Sequence, residues 1–284
     1  MPGHAHAHAV ILQGRTEFLE KYADVAGKLT ARGFAVAALD WRGQGQSPRL
    51  VADPMLGHIE DFTTYRDDLD ALLADPAVVA LPGPRLLVGH SMGGAIALDW
   101  LGQNPGGGAA LVLSAPMLGL HLPRPLRWLA PRIARAAVRL GRGETYVPGS
   151  GPRSYLEEGF DGNVLTEDRV RFNELADYVA ANSAVALGGA SLAWLRAAFA
   201  VMAALEGKAP PVPTLALLGT AEALVSQDAI RALARHEGVT LAEIPGARHE
   251  PFIETPPRRV AVWAAIDAFL AAQGLTAPAV TPPA

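Results

Sequence analysis

Residues 85–101 set the tightest limit on how this 284-residue chain can fold. An apolar run from Arg85 to Val88 leads into Gly89-His90-Ser91-Met92-Gly93-Gly94, and an apolar, helix-compatible run from Ala95 to Leu101 follows. Strand, sharp turn and helix in that order are what a G-x-S-x-G elbow requires. The glycines have a steric reason, because side chains at positions 89 and 93 would collide with neighbouring backbone. Ser91 then stands on a strained turn with its hydroxyl exposed above a sheet, which makes it a candidate nucleophile. Met92 heads the helix, where its N–H has no partner in the helical ladder and is free to bind an oxyanion. The competing reading is a glycine-rich turn with a bystander serine.

The rest of the chain supplies a matching rhythm. Strands are predicted at 10–12, 34–39, 85–90, 110–114, 214–218 and 240–244, and helices at 17–32, 61–74, 93–101, 227–236 and 258–272. The 17–32 segment carries Phe18, Tyr22, Val25, Ala26 and Leu29 at helical spacing, with Gly33 placed to end it. Strands alternating with helices imply βαβ units and a mostly parallel central sheet flanked by helices. The alternation breaks between Pro116 and Pro213, where the sequence is rich in Pro and Arg and a helix is predicted over 192–205. The expected organisation is therefore an α/β core over 1–115, a largely helical cap over 116–212, the second part of the core over 213–275, and a flexible tail over 276–284. An insertion after that strand lies over the carboxyl ends of the sheet, where open α/β sheets bind ligands.

Composition narrows the function classes. Half the residues are apolar, and the net charge of −4 with no basic stripe argues against nucleic acid as a partner. With no cysteine, thiol catalysis and disulfides are excluded. No secretory signal pattern opens the chain and no apolar run approaches the roughly 18 residues of a membrane-spanning helix, so a cytoplasmic location is expected.

A serine hydroxyl needs an adjacent base, itself oriented by an acid. In strand–elbow–helix folds the chain order is Ser, acid, His. His249 lies on the loop after the last strand, whereas His4, His6 and His8 come too early and His58, His90, His121 and His236 fall elsewhere. Position selects His249 as base. After the strand at 214–218, Glu222 is the only carboxylate on the turn and is the candidate acid, with Asp228 six residues on as the alternative. The loop after the first parallel strand, Gln13-Gly14-Arg15-Thr16-Glu17, points to the Arg15 amide as partner of Met92 in an oxyanion hole. Asp40-Trp41-Arg42-Gly43-Gln44-Gly45-Gln46-Ser47 suits a hydrogen-bonded loop bracing the site floor.

These residues together resemble the α/β-hydrolase superfamily, and within it the lysophospholipase L2 and monoacylglycerol lipase group. The carrying segments are Gly14-Arg15-Thr16-Glu17 with Tyr22, residues 40–47, Gly57-His58 with Asp61-Phe62, residues 89–95, Ser114-Ala115-Pro116-Met117, residues 218–222 and residues 246–250. They span residues 10 to about 270. The resemblance implies Ser91 as nucleophile, Glu222 as acid, His249 as base, and oxyanion donation by the Arg15 and Met92 amides. It implies hydrolysis of carboxylic esters of lipids, such as a lysophospholipid or a monoacylglycerol, through an acyl-enzyme on Ser91 and without metal or organic cofactor. The alternatives are a general carboxylesterase for small soluble esters, and a non-catalytic or truncated relative.

Three departures stand out. Gln13-Gly14 replaces the usual His-Gly, and Gln44 replaces the histidine of the Arg-Gly-His-Gly loop. The strand pair that precedes the first parallel strand in relatives is also missing, which would leave a sheet edge uncovered. Other features have plain readings: His4, His6 and His8 as an unstructured leader rather than a metal site, and Asp67, Asp68 and Asp70 as a solvated helix face. The apolar stripe of the helix at 192–205 is expected to pack the cap on the core, with transient membrane-surface contact as its other use. Trp128 and Trp194 in the cap carry the same two readings.

Overall fold

The computed structural model describes residues 5–277. The first half of the core runs β1 (Ala7–Leu12), α1 (Ala23–Thr30), β2 (Phe34–Ala38), α2 (Thr63–Ala74), α3 (Pro76–Val79), β3 (Arg85–His90), α4 (Met92–Gln103) and β4 (Ala110–Ser114). Three long helices follow, α5 (Arg124–Arg139), α6 (Arg169–Ala181) and α7 (Leu192–Leu205). The core then resumes with β5 (Thr214–Gly219), α8 (Gln227–Leu233), β6 (Val239–Ile244) and α9 (Pro256–Ala272).

Among the described residues the six strands are all parallel, in the spatial order β2-β1-β3-β4-β5-β6. The central strands are buried on both faces, and an all-parallel sheet has this property because its crossover helices cover both sides. One layer packs α2, α4 and α7 through Tyr65, Leu69, Ile96, Trp100, Ala198 and Met202. The other packs α1 and α9 through Val25, Leu29, Val262, Ile266 and Phe269. The sheet is open. Among the described residues no strand pairs with the outer side of β2, whose residues Ala35 to Ala38 are partly exposed.

Two local expectations need correction. The first strand begins at Ala7 rather than Val10, because Ala7 and His8 are held in register with Phe34 and Arg85 of the flanking strands. His8 is therefore a buried strand residue, with Nδ1 3.0 Å from the Pro82 carbonyl, and His6 packs on Phe34; neither belongs to a loose leader. His4, and residues 278–284 of the predicted tail, lie outside the described residues. The predicted helix over 17–32 is shorter. A 3-10 turn at Leu19–Tyr22 precedes α1, and Thr16 sits at φ 64°. Glu17 stays out of the helix because its carboxylate is committed backwards to the Gly14 amide, a local bond that competes with the helical ladder.

Helix starts follow side-chain chemistry. Ser191 accepts the Trp194 amide at 3.0 Å, Asp168 accepts those of Val170 and Arg171, and Ser226 accepts that of Ala229. Two members of the acidic run on α2, Asp68 and Asp70, are likewise partnered rather than merely solvated, while Asp67 is exposed. Asp68 binds Arg42 of the 40–47 loop, and Asp70 accepts the Trp100 indole N–H at 2.6 Å.

Candidate active site

Ser91 occupies the turn between β3 and α4 at φ 49°, ψ −114°, a conformation that costs a non-glycine residue of the order of 1–3 kcal/mol. The surroundings enforce it. The Ser91 amide donates to the Ser114 carbonyl and its carbonyl accepts the Met117 amide, both at 2.9 Å. The glycines are obligatory on steric grounds: a Cβ at Gly93 would lie 2.1 Å from the Leu12 carbonyl oxygen, and one at Gly89 would lie 2.7 Å from Gly94 Cα.

His249, on the loop after β6, brings Nε2 to 3.0 Å from Ser91 Oγ. Its Nδ1 lies 2.7 Å from Glu222 Oε2. Glu222 stands on the turn after β5, where its other oxygen accepts the amides of Leu224 at 2.6 Å and Val225 at 3.1 Å. Burial pushes this carboxyl's pKa up, but the hydrogen bond and charge of His249 and the two amides outweigh it and hold the group below its ordinary value. Asp228, the other carboxylate considered, is exposed in the first turn of α8. Serine, imidazole and carboxylate thus form one continuous hydrogen-bonded relay.

The first-strand loop lies against the elbow, with the Leu12 and Gln13 carbonyls close to Gly93. The amides on either side of Arg15 are committed, Gly14 N–H to Glu17 and Thr16 N–H to Gln44 Oε1 at 3.2 Å. Gln44 also donates from Nε2 to the Gly14 carbonyl at 2.8 Å, so one side chain clamps the loop at two points. Asp40 accepts from Gln13 and Leu19, and Trp41 donates its indole N–H to the Gln13 carbonyl. The bracing role read from residues 40–47 is therefore visible in detail. The histidine-to-glutamine departure at position 44 keeps a two-ended hydrogen-bonding group there. The Arg15 guanidinium reaches the Gly188 carbonyl at 2.9 Å and lies over the Trp194 ring, tying the loop to the segment before α7.

Sequence reasoning missed the charged cluster behind the triad. Lys21 is buried and its ammonium bonds both Glu17 and Glu250. Glu17 also accepts from the Tyr22 hydroxyl at 2.6 Å and faces His90 Nε2 at 3.6 Å. Burial opposes ionisation of Glu17, yet Lys21 above all, with His90 and Tyr22, brings its pKa down to about 2. The same cluster raises the pKa of Lys21, because its two carboxylates outweigh burial. Burial drops the His90 pKa to about 3, so it is a neutral ring that packs 5.0 Å from His249. Glu17, His90 and Glu250 bring three ligand-type groups within 4.8 Å of one another, and Lys21 supplies the positive charge among them. The only signal available in the sequence was Glu17 and Tyr22 within one of the carrying segments.

Also unseen in sequence was how the 116–212 segment holds the histidine loop. The amide of Glu250 donates to the Leu165 carbonyl at 2.9 Å, Arg248 reaches the Asn163 carbonyl at 2.7 Å, and the Thr166 hydroxyl binds the Ile253 carbonyl. Glu254 is fully buried and accepts the Arg248 amide and the Arg258 guanidinium.

Residues 3–256 match the family described as serine aminopeptidase, S33. The chain belongs to this family. Within the family it is 37% identical to lysophospholipase L2 of Escherichia coli over 279 residues, covering 92% of this chain and 79% of that protein. It is 27% identical to the monoacylglycerol lipase of Mycolicibacterium smegmatis, covering 88% and 84% of the two chains. The crystal structure of Paleococcus ferrophilus monoacylglycerol lipase shares the fold at a TM-score of 0.71 and 22% identity, over 93% of this chain and 94% of the other. The protein is accordingly an α/β-hydrolase of the serine hydrolase class. Among the described residues no helix is long and apolar enough to cross a membrane.

Proposed function

We propose that this hydrolase cleaves a carboxylic ester of a lipid, a lysophospholipid or a monoacylglycerol, through an acyl-enzyme on Ser91. The observation that carries the reading is the relay from Ser91 Oγ to His249 to Glu222 at 3.0 and 2.7 Å. His249 Nε2 takes the hydroxyl proton as Ser91 attacks the ester carbonyl, while Glu222 holds the ring by Nδ1 and stabilises the imidazolium. The negative charge on the carbonyl oxygen falls to the amides of Met92, first in α4, and Arg15, whose neighbours in the loop are otherwise engaged. His249 then returns the proton to the departing glycerol oxygen. Water, deprotonated by the same ring, releases the fatty acid.

Ester rather than peptide chemistry is favoured by the buried charges. Cleaving an N-terminal residue calls for a free carboxylate to receive the substrate's ammonium, and the buried Glu17 and Glu250 both already share the Lys21 ammonium. The lysophospholipase and lipase relatives point the same way. In this reading residues 1–115 and 213–275 form the core and 116–212 the cap that governs acyl length and head group.

The test is hydrolysis of p-nitrophenyl esters from acetate to palmitate, then of a lysophospholipid against a monoacylglycerol, with Ser91→Ala as control. Serine-dependent turnover peaking at medium or long chains is expected. A peak at acetate would replace the lipid reading with a small-ester esterase, and cleavage confined to amino-acid amides would overturn it.

A further inference from the structure

Arg15 stands out among the cations around the relay because its charge has no counterion. Among the described residues no carboxylate oxygen lies within 4 Å of it. Other cations nearby are differently placed. Lys21 meets Glu17 and Glu250, Arg42 meets Asp68, and Arg258 meets Glu167 and Glu254. Arg49 has no carboxylate either, but its guanidinium is occupied by the carbonyls of Gly45, Ser47, Pro54, Ala184 and Ala186. The Arg15 guanidinium reaches a single carbonyl, that of Gly188, from Nη1. Among the described residues its Nε and Nη2 donate to no protein atom, and neither is sealed from solvent.

This half-buried cation is nevertheless held in place. It lies over the buried Trp194 ring, 5.4 Å from the centroid, and a Cβ at position 57 would come within 3.1 Å of Nη1, so Gly57 leaves the room it occupies. Burial pushes the Arg15 pKa down, and the groups opposing it are the phenols of Tyr65 and Tyr155 rather than a carboxylate. A partly desolvated charge without a partner is costly until an anion arrives to pair with it. The distance from the reacting atoms says which anion. In the ester reading the Arg15 amide holds the substrate's carbonyl oxygen, and six covalent bonds lead from that nitrogen to the guanidinium carbon. Six bonds also separate the ester carbonyl carbon from phosphorus in a lysophospholipid acylated on a terminal glycerol carbon. Each path spans roughly 7 Å when extended, at about 1.2 Å of advance per bond. A monoacylglycerol carries only a hydroxyl at that point, which leaves the guanidinium charge uncompensated.

We propose that the Arg15 side chain binds the phosphate of a lysophospholipid head group and so makes the enzyme select that substrate over a monoacylglycerol. The free N–H groups on Nε and Nη2 form the fork that takes two oxygens of one phosphate, while Nη1 stays on Gly188. Arg15 then serves the reaction twice, its amide at the carbonyl oxygen and its guanidinium at the head group. The proposal rests on the lipid-ester reading and decides between the two substrates which that reading leaves open.

The experiment measures kcat/KM for a lysophosphatidylcholine and a monoacylglycerol of the same acyl chain, with the parent, Arg15→Met and Arg15→Lys. Methionine keeps an apolar stem against Trp194, and the readout is the ratio of the two kcat/KM values. The parent is expected to prefer the lysophospholipid. Arg15→Met should lower the ratio by about ten- to a hundredfold, the range for a hydrogen bond to a charged group, and Arg15→Lys, which keeps the charge but not the fork, by less. An unchanged ratio would overturn the proposal. So would an equal loss on both substrates, which would make Arg15 a strut between the first-strand loop and the 116–212 segment. A second measurement needs no variant: with p-nitrophenyl butyrate as substrate, glycerophosphocholine should inhibit the parent competitively and glycerol should not. Equal potency of the two, or inorganic phosphate acting as strongly as glycerophosphocholine, would overturn the head-group assignment. If neither lipid is cleaved, the lipid-ester reading fails on its own. Calorimetry with an ether-linked lysophosphatidylcholine, comparing Ser91→Ala with Ser91→Ala carrying Arg15→Met, then still decides the arginine's part: a tenfold or greater loss of affinity is expected, and unaltered binding overturns it.

Discussion

Replacing Lys21 by methionine tests the energetic account of the site. The substitution keeps the length and apolar stem of the side chain but removes the one cation between Glu17 and Glu250, both buried. Two uncompensated carboxylates cannot stay ionised side by side in that environment, so one takes up a proton on folding. Neutralising a carboxyl of ordinary pKa 4.5 costs about 1.4 kcal/mol for each pH unit above that value. The charge penalty of Lys21→Met is therefore at most about 4 kcal/mol near pH 7.5 and at most about 1.4 kcal/mol near pH 5.5. The sign follows from linkage. In the variant the folded-state pKa is raised above the unfolded one, so the contribution is favourable at low pH and is lost as pH rises. In the parent Lys21 is raised and Glu17 depressed, so that pair is intact throughout this window, while burial and the Glu17 charge raise Glu250 against the pull of Lys21, so the parent already carries part of the same pH dependence. Urea unfolding of parent and variant at the two pH values measures the difference, with an unchanged m-value expected. Adding Glu250→Gln to the variant should recover much of the loss, because a single buried carboxyl remains. A destabilisation below about 1 kcal/mol near pH 7.5, or one independent of pH, would refute the reasoning.

Other consequences are more local. Glu222→Gln keeps the shape of the relay but favours the wrong imidazole tautomer, and should lower kcat by about 10⁴ with little change in KM; a loss under tenfold would remove Glu222 from the relay. Gly93→Ala drives a methyl into the Leu12 carbonyl and should abolish cooperative folding or lower Tm sharply, as read by circular dichroism. Gln44→Ala frees both ends of the clamp on the Arg15 loop, and should lower kcat by up to about 10² while unfolding free energy changes much less, because the hydrogen bonds act on donor placement.

Much of the fold and most of the candidate site could be read without coordinates, for reasons that differ by residue. The elbow is legible because its demands are local: a left-handed turn at Ser91 and close backbone approach at positions 89 and 93 leave glycine as the one acceptable neighbour. His249 is legible through chain order. Place on the turn after β5 already favoured Glu222 over Asp228, six residues on, and it is Glu222 whose carboxylate lies 2.7 Å from His249.

Sequence by itself determined the βαβ rhythm, the interruption between β4 and β5, and the residue types able to do the chemistry, because side-chain periodicity and turn sterics act over a few residues. Tertiary structure decided everything that depends on what a segment meets. It drew Glu17 away from a helix and into a cluster with Lys21 and Glu250, and it placed Asn163 and Leu165 along the histidine loop. It also buried Leu192 and Met202 of α7, and partly buried Leu195, Phe199 and Leu205, while leaving Leu126, Leu129 and Ile133 of α5 exposed. Helical periodicity is the same in both helices, and a pattern along one helix carries no information about which neighbour comes to cover it.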